Sequence, residues 1–191
     1  LTPADMARLA ELTPAQRAAL RQSGEVPGAG HQWPPIISLS DNGNRFATGS
    51  AGITSDFRRD LEERVAPEVA ERLAAYDADV IEIIGHTDEQ VITPTRPSNL
   101  DTTALEVMQG RRGAEAMVAD DNAGLGLARA IAVASVLKGT GCFEAVKLVP
   151  LSAAQLLLPG DTLSPGGELA QGDQRRRRIE IRVRRSTEVT N

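Results

Sequence analysis

Two oppositely charged residues stand beside stretches that are otherwise apolar, and their positions suggest what they could bind. Asp88 closes Gly85-His86-Thr87-Asp88, directly after Val80-Ile81-Glu82-Ile83-Ile84, whose composition predicts a buried strand. Arg129 lies within Gly124 to Lys138, which reads as a helix with Gly139 and Gly141 just beyond its end. At about 3.6 residues per turn, Leu125, Arg129, Val133 and Leu137 form one i, i+4 stripe with Val136 alongside, so the arginine falls on the apolar face. A guanidinium there must reach solvent at the helix end or meet an anion, because an unpaired buried charge is costly. Arg129 sits in the first half of its helix, within reach of a pocket at the end of the sheet, and Asp88 is the nearest candidate to line that pocket. Such a pair complements a zwitterionic amino-acid head, with Asp88 accepting from the ammonium and Arg129 holding the carboxylate bidentately. The alternative is a direct Asp88–Arg129 salt bridge that closes the domain.

The elements needed to position these residues follow from the rest of the chain. Residues 1–35 read as an accessory segment: an Ala- and Leu-rich helical stretch interrupted near Thr13-Pro14, then a Pro/Gly-rich linker. Residues 36–191 form the main domain. Ile36 to Ser40 is a strand candidate, and Ser55 or Asp56 can cap a long helix through Tyr76, which Pro67 should kink or split. A long insertion at about 89–121 follows Asp88, with a short helix around Thr102 to Met108; loops of this length are often functional or mobile. Val146 to Leu151 and Arg178 to Val183 complete the strands, separated by the Pro/Gly-rich stretch Pro159 to Gly172. The order predicts an α/β fold, β-α-β-α-β-β, with a mixed sheet and helices packed on one face.

Four ordered stretches resemble the signatures of OmpA-like peptidoglycan-binding domains, the group that includes the C-terminal domains of OmpA, Pal and MotB. They are Phe46-Ala47-Thr48-Gly49-Ser50-Ala51, then Ile81 to Asp88, then Asn122-Ala123-Gly124-Leu125-Gly126-Leu127-Ala128-Arg129-Ala130, then Arg177-Arg178-Ile179-Glu180-Ile181. Their combination is more specific than any one of them. The resemblance implies non-covalent binding of peptidoglycan through the diaminopimelate of the stem peptide, with Asp88 and Arg129 contacting its amino and carboxylate groups. It further implies Asn122 in the family's asparagine position and Thr87 and Thr48 at the pocket rim. Pro97-Ser98-Asn99-Leu100 resembles a stretch of MotB-type stator domains, so Asn99 competes with Asn122; Asn122 is preferred because its spacing to Leu125 and Arg129 fits. This chain departs from the pattern in the length of 89–121 and in Arg176, where the family carries Asn or Asp.

Composition narrows the function classes. Hydrophobic residues are 41% and charged residues 25%, as in ordinary globular domains, while aromatics are only 3%, which leaves little for stacking bases or sugars. A net charge of −5 disfavours nucleic acid. The arginine run 175–178 reads into a strand whose Glu180, Arg182 and Arg184 form a solvated charged face. His86 reads as a residue that fixes the turn after its strand, and with only His31 besides, zinc is disfavoured. Gly49-Ser50-Ala51 lacks a nucleophile elbow. The single Cys142 cannot close an intrachain disulfide. The expectation is therefore a binding module without cofactor or turnover, in a Gram-negative-type periplasm. Its parent would be an outer-membrane protein, a lipoprotein or a MotB-like stator, the last implying a homodimer. A membrane anchor upstream of Leu1 is compatible with this reading. The competing class is a metal-dependent or hydrolytic cell-wall enzyme.

Overall fold

In chain order the described elements are β1 (Ile37–Ser40), α1 (Ser55–Asp60), a π turn (Leu61–Val65), α2 (Ala66–Ala75), β2 (Val80–His86), α3 (Leu100–Met108), a 3-10 turn (Ala114–Ala116), α4 (Asn122–Gly139), β3 (Lys147–Ala154), β4 (Leu157–Leu158), β5 (Thr162–Leu163) and β6 (Arg178–Arg184). They come from a computed structural model that describes residues 34–40, 45–46, 49–93, 96–167 and 172–186. Residues 1–33 of the accessory segment and Thr48 lie outside the described residues. The main sheet runs β1-β6-β2-β3, with β6 antiparallel to both neighbours and β2 parallel to β3. A parallel pair needs a crossover, and α4 provides it. The sheet is mixed and its helices pack on one face. On that face Ile37 and Leu39 of β1, Ile81 and Ile83 of β2, and Ile179, Ile181 and Val183 of β6 meet Leu61, Val65 and Val69 from the first helical run and Val133 and Leu137 from α4.

The first helical run is continuous over 55–75, and Pro67 neither splits nor ends it. The proline has no N–H to donate to the preceding turn, and the π turn absorbs this: the Ala66 N–H reaches back to Leu61 O, one residue further than in an α-helix. The cap is Thr54 and not Ser55 or Asp56. Its Oγ1 accepts from the Phe57 N–H at 3.3 Å, which leaves Asp56 in the first turn, where a carboxylate complements the helix dipole.

The described residues of the 89–121 segment have their own ties to the core. Val107 and Met117 belong to the hydrophobic core. Ser135 Oγ and Lys138 Nζ of α4 donate to the carbonyls of Val107 (3.0 Å) and Met108 (3.3 Å), holding the C-terminal end of α3. Asn99 closes the segment on itself: Nδ2 donates to Ala116 O at 2.9 Å and Oδ1 accepts from the Val118 N–H at 2.8 Å.

The charged side of β6 is covered at its start, contrary to the solvated face that its alternation suggests, while Arg182 and Arg184 remain partly exposed. Arg178 is 3% and Glu180 5% exposed. The reason is the β4–β5 hairpin, formed within and just before the Pro/Gly-rich stretch, whose Leu157 and Leu158 carbonyls accept from Arg178 Nη1 and Nη2 at 3.3 and 3.2 Å. Among the described residues no helix is long and apolar enough to cross a membrane.

Candidate functional site

The site begins with a backbone contact. Gly85 of β2 faces Gly126 of α4 so closely that a Cβ on Gly85 would overlap the Gly126 carbonyl, and one on Gly126 would overlap Ser152 Oγ. Helix and strand touch without intervening side chains, which fixes Asp88, three residues after Gly85, and Arg129, three residues after Gly126, beside the same cavity. The Thr87 N–H donates to Ala154 O at 2.9 Å and sets the path of the chain as it leaves β2. At the start of α4, Asp121 accepts from the Gly124 N–H at 2.6 Å, and Asn122 Nδ2 donates to Gln90 O at 3.0 Å.

Asp88 and Arg129 are each 5% exposed, and both line one cavity of about 560 Å³. Thr87 and Asn122 line it too. Asp88 pairs with Arg177, whose Nη1 lies 3.0 Å from Oδ2, while Oδ1 accepts from the Gln90 N–H at 3.3 Å. Arg129 donates from Nε to Ser50 O at 3.1 Å, and its guanidinium carbon lies 4.9 Å from the centroid of the Phe46 ring. That ring is itself set edge-on against Phe57, with centroids 5.3 Å apart. A buried carboxylate and a buried guanidinium, each held by other groups, therefore open onto a common space.

Asn99 does not line this cavity; both ends of its amide are spent inside the insertion. Arg177 is the site residue that sequence reasoning missed, and strand register explains its position. Pairing of His86 with Arg178 in antiparallel β2 and β6 brings the residue before β6 beside those that follow β2. Its neighbour Arg176 turns to Glu89, with Nη1 3.0 Å from Oε1, and Nη2 donates to Gln155 O at 2.7 Å. His86 lies on the other face of the sheet, its Nε2 3.6 Å from Glu180 Oε2, in a buried cluster in which Glu180 also bonds Arg178 and Arg182, each at 2.7 Å. Burial alone would raise the Glu180 carboxyl, but His86, Arg182 and Arg178 outweigh it and hold it far below the usual glutamate range. Among the described residues no cluster of three or more His, Cys, Asp or Glu is placed to hold a metal.

No family model matches the sequence, and no curated protein matches it. Solved structures do match in shape. The periplasmic domain of MotB aligns over 82% of this chain and 66% of its own, at 18% identity and a TM-score of 0.50. A putative MotB-like protein from Desulfovibrio vulgaris aligns over 91% of this chain and 90% of its own, at 16% identity and a TM-score of 0.48. The peptidoglycan-associated lipoprotein from Burkholderia pseudomallei aligns over 77% and 89%, at 19% and 0.42. The fold is that of the periplasmic domain of MotB. The likeness is one of architecture, a mixed sheet with helices packed on one face. The segment 89–121 supplies Val91, Arg96, Glu115 and Met117 to the cavity wall.

Proposed function

We propose that this domain binds peptidoglycan non-covalently, seating the diaminopimelate of the stem peptide between Asp88 and Arg129, and so tethers its parent protein to the cell wall in a Gram-negative-type periplasm. The observation that carries the reading is the opening of a buried carboxylate and a buried guanidinium, far apart in sequence, onto one cavity. Asp88 accepts from the ammonium of the amino-acid head, and Arg129 holds its carboxylate. Arg177 keeps the Asp88 carboxylate in place through their ion pair. Phe46 and Ser50 O fix the guanidinium before the ligand arrives, which reduces the ordering cost of binding. Asn122 and Thr87 complete the lining, and Thr48 is proposed for the rim from the motif resemblance alone. No bond is made or broken in this scheme.

Sedimentation with purified diaminopimelate-type sacculi tests the proposal. The native chain is expected to co-sediment, and Asp88→Ala and Arg129→Ala are each expected to weaken binding by about thirtyfold or more, as when one member of a buried charge pair is truncated. Full retention of binding by both variants, with circular dichroism unchanged, would remove these residues from the role. Release of soluble muropeptides during the incubation would instead favour a hydrolytic enzyme.

A further inference from the structure

The cavity is larger than one amino-acid head requires. At about 30 Å³ for each water-sized group, its volume of about 560 Å³ holds on the order of twenty such groups, whereas a zwitterionic head consists only of an ammonium, a Cα and a carboxylate. The surplus space is walled by the insertion. Val91, Ile92, Met117 and Val118 supply apolar surface there, and Arg96 and Glu115 supply opposite charges. Asp88 is already engaged by Arg177, but Arg96 and Glu115 make no hydrogen bond or ion pair with any described residue. The wall that carries them is anchored through Met117 in the core and by the two hydrogen bonds of the Asn99 side chain.

We infer that the insertion makes this cavity a two-part site, in which Arg96 receives the terminal carboxylate of the residue that follows the zwitterionic one in the bound peptide. This rests on the reading of Asp88 and Arg129 given above. The apolar wall suits a small side chain such as the methyl group of alanine, and Arg96 attracts a terminal carboxylate that Glu115 repels. The ligand class is thus a short peptide with a free C-terminus next to diaminopimelate, and Arg96 is a specificity residue.

Calorimetry separates the two halves. The probes are meso-diaminopimelate alone, a stem tetrapeptide in which diaminopimelate is followed by D-alanine with a free carboxylate, and the same tetrapeptide ending in an amide. The native chain is expected to prefer the acid over the amide by about fivefold, the scale of a partly exposed ion pair. Arg96→Gln should abolish that preference and leave the affinity for diaminopimelate unchanged. Arg96 is exposed, so the variant is expected to fold, and circular dichroism checks this. Equal binding of acid and amide by the native chain, or a preference that survives Arg96→Gln, overturns the inference and leaves the parent reading intact if Asp88→Ala and Arg129→Ala still lose diaminopimelate. Undiminished diaminopimelate binding in those two variants defeats the parent reading, and this inference with it.

Discussion

Glu180→Ala is expected to lower the unfolding free energy by about 3–5 kcal/mol, the usual result of removing one partner from a buried charge cluster. Glu180 is 5% exposed and lies between Arg178 and Arg182, each 2.7 Å away, with His86 Nε2 at 3.6 Å. Removing its carboxylate leaves the Arg178 guanidinium, 2% exposed in its side chain, with carbonyl acceptors but no counter-charge. Those carbonyls should still hold the hairpin well enough for the variant to fold, so urea denaturation can measure the loss. A loss below about 1 kcal/mol, the scale of a surface pair, would mean that the cluster is not what stabilises this face. The same group gives the domain a specific response to acid. Because the folded pKa of Glu180 lies below its unfolded value, near 4.5, its contribution is complete above that value and is lost as pH falls below it toward the folded pKa. Glu180→Gln should therefore flatten the dependence of stability on pH on the acid side of 4.5, and an unchanged slope would count against the assignment.

Gly85→Ala is expected to cost about 1–3 kcal/mol through overpacking and to weaken binding to sacculi as well. The added methyl meets the backbone carbonyl of Gly126, which cannot swing away as a flexible side chain could, so helix and strand must separate. That separation moves Arg129 relative to Asp88, and the site suffers along with the fold. Gly139→Ala is the control. Gly139 ends α4 with open space where its Cβ would stand, so the change is expected to be neutral or to stabilise by up to about 1 kcal/mol. If the two alanine variants unfold at the same denaturant concentration, the close contact does not have the importance given to it here.

Much of the framework was legible because its signals are local. The β-branched run Val80 to Ile84 and the apolar stripe of α4 each announce their element within a few residues, and the two ends of the site attach directly to them. The structure extends β2 through Gly85 and His86 and starts α4 at Asn122, shifts at element ends where periodicity is weakest. What could not be read depends on distant parts of the chain. Arg177 reaches Asp88 only because β6 runs antiparallel to β2 in a particular register. The burial of Arg178 and Glu180 depends on a hairpin with two-residue strands, too short to give an alternation signal. Pro67 predicts a kinked or split helix by its local chemistry, and the π turn that accommodates it is visible only in the backbone. The insertion gives no clear periodic pattern, yet it is tied to α4 through side chains of Ser135 and Lys138, far along the sequence.

The self-closing of the insertion through Asn99 separates two kinds of hereditary freedom. Its amide joins the two flanks of the segment from within, while the glycine seam lies outside the segment, on β2 and α4. In the proposed reading, the part that meets the zwitterionic head and the part that meets the residue after it are encoded in different stretches of chain. On that reading, one half of the site is open to change by substitution without disturbing the other.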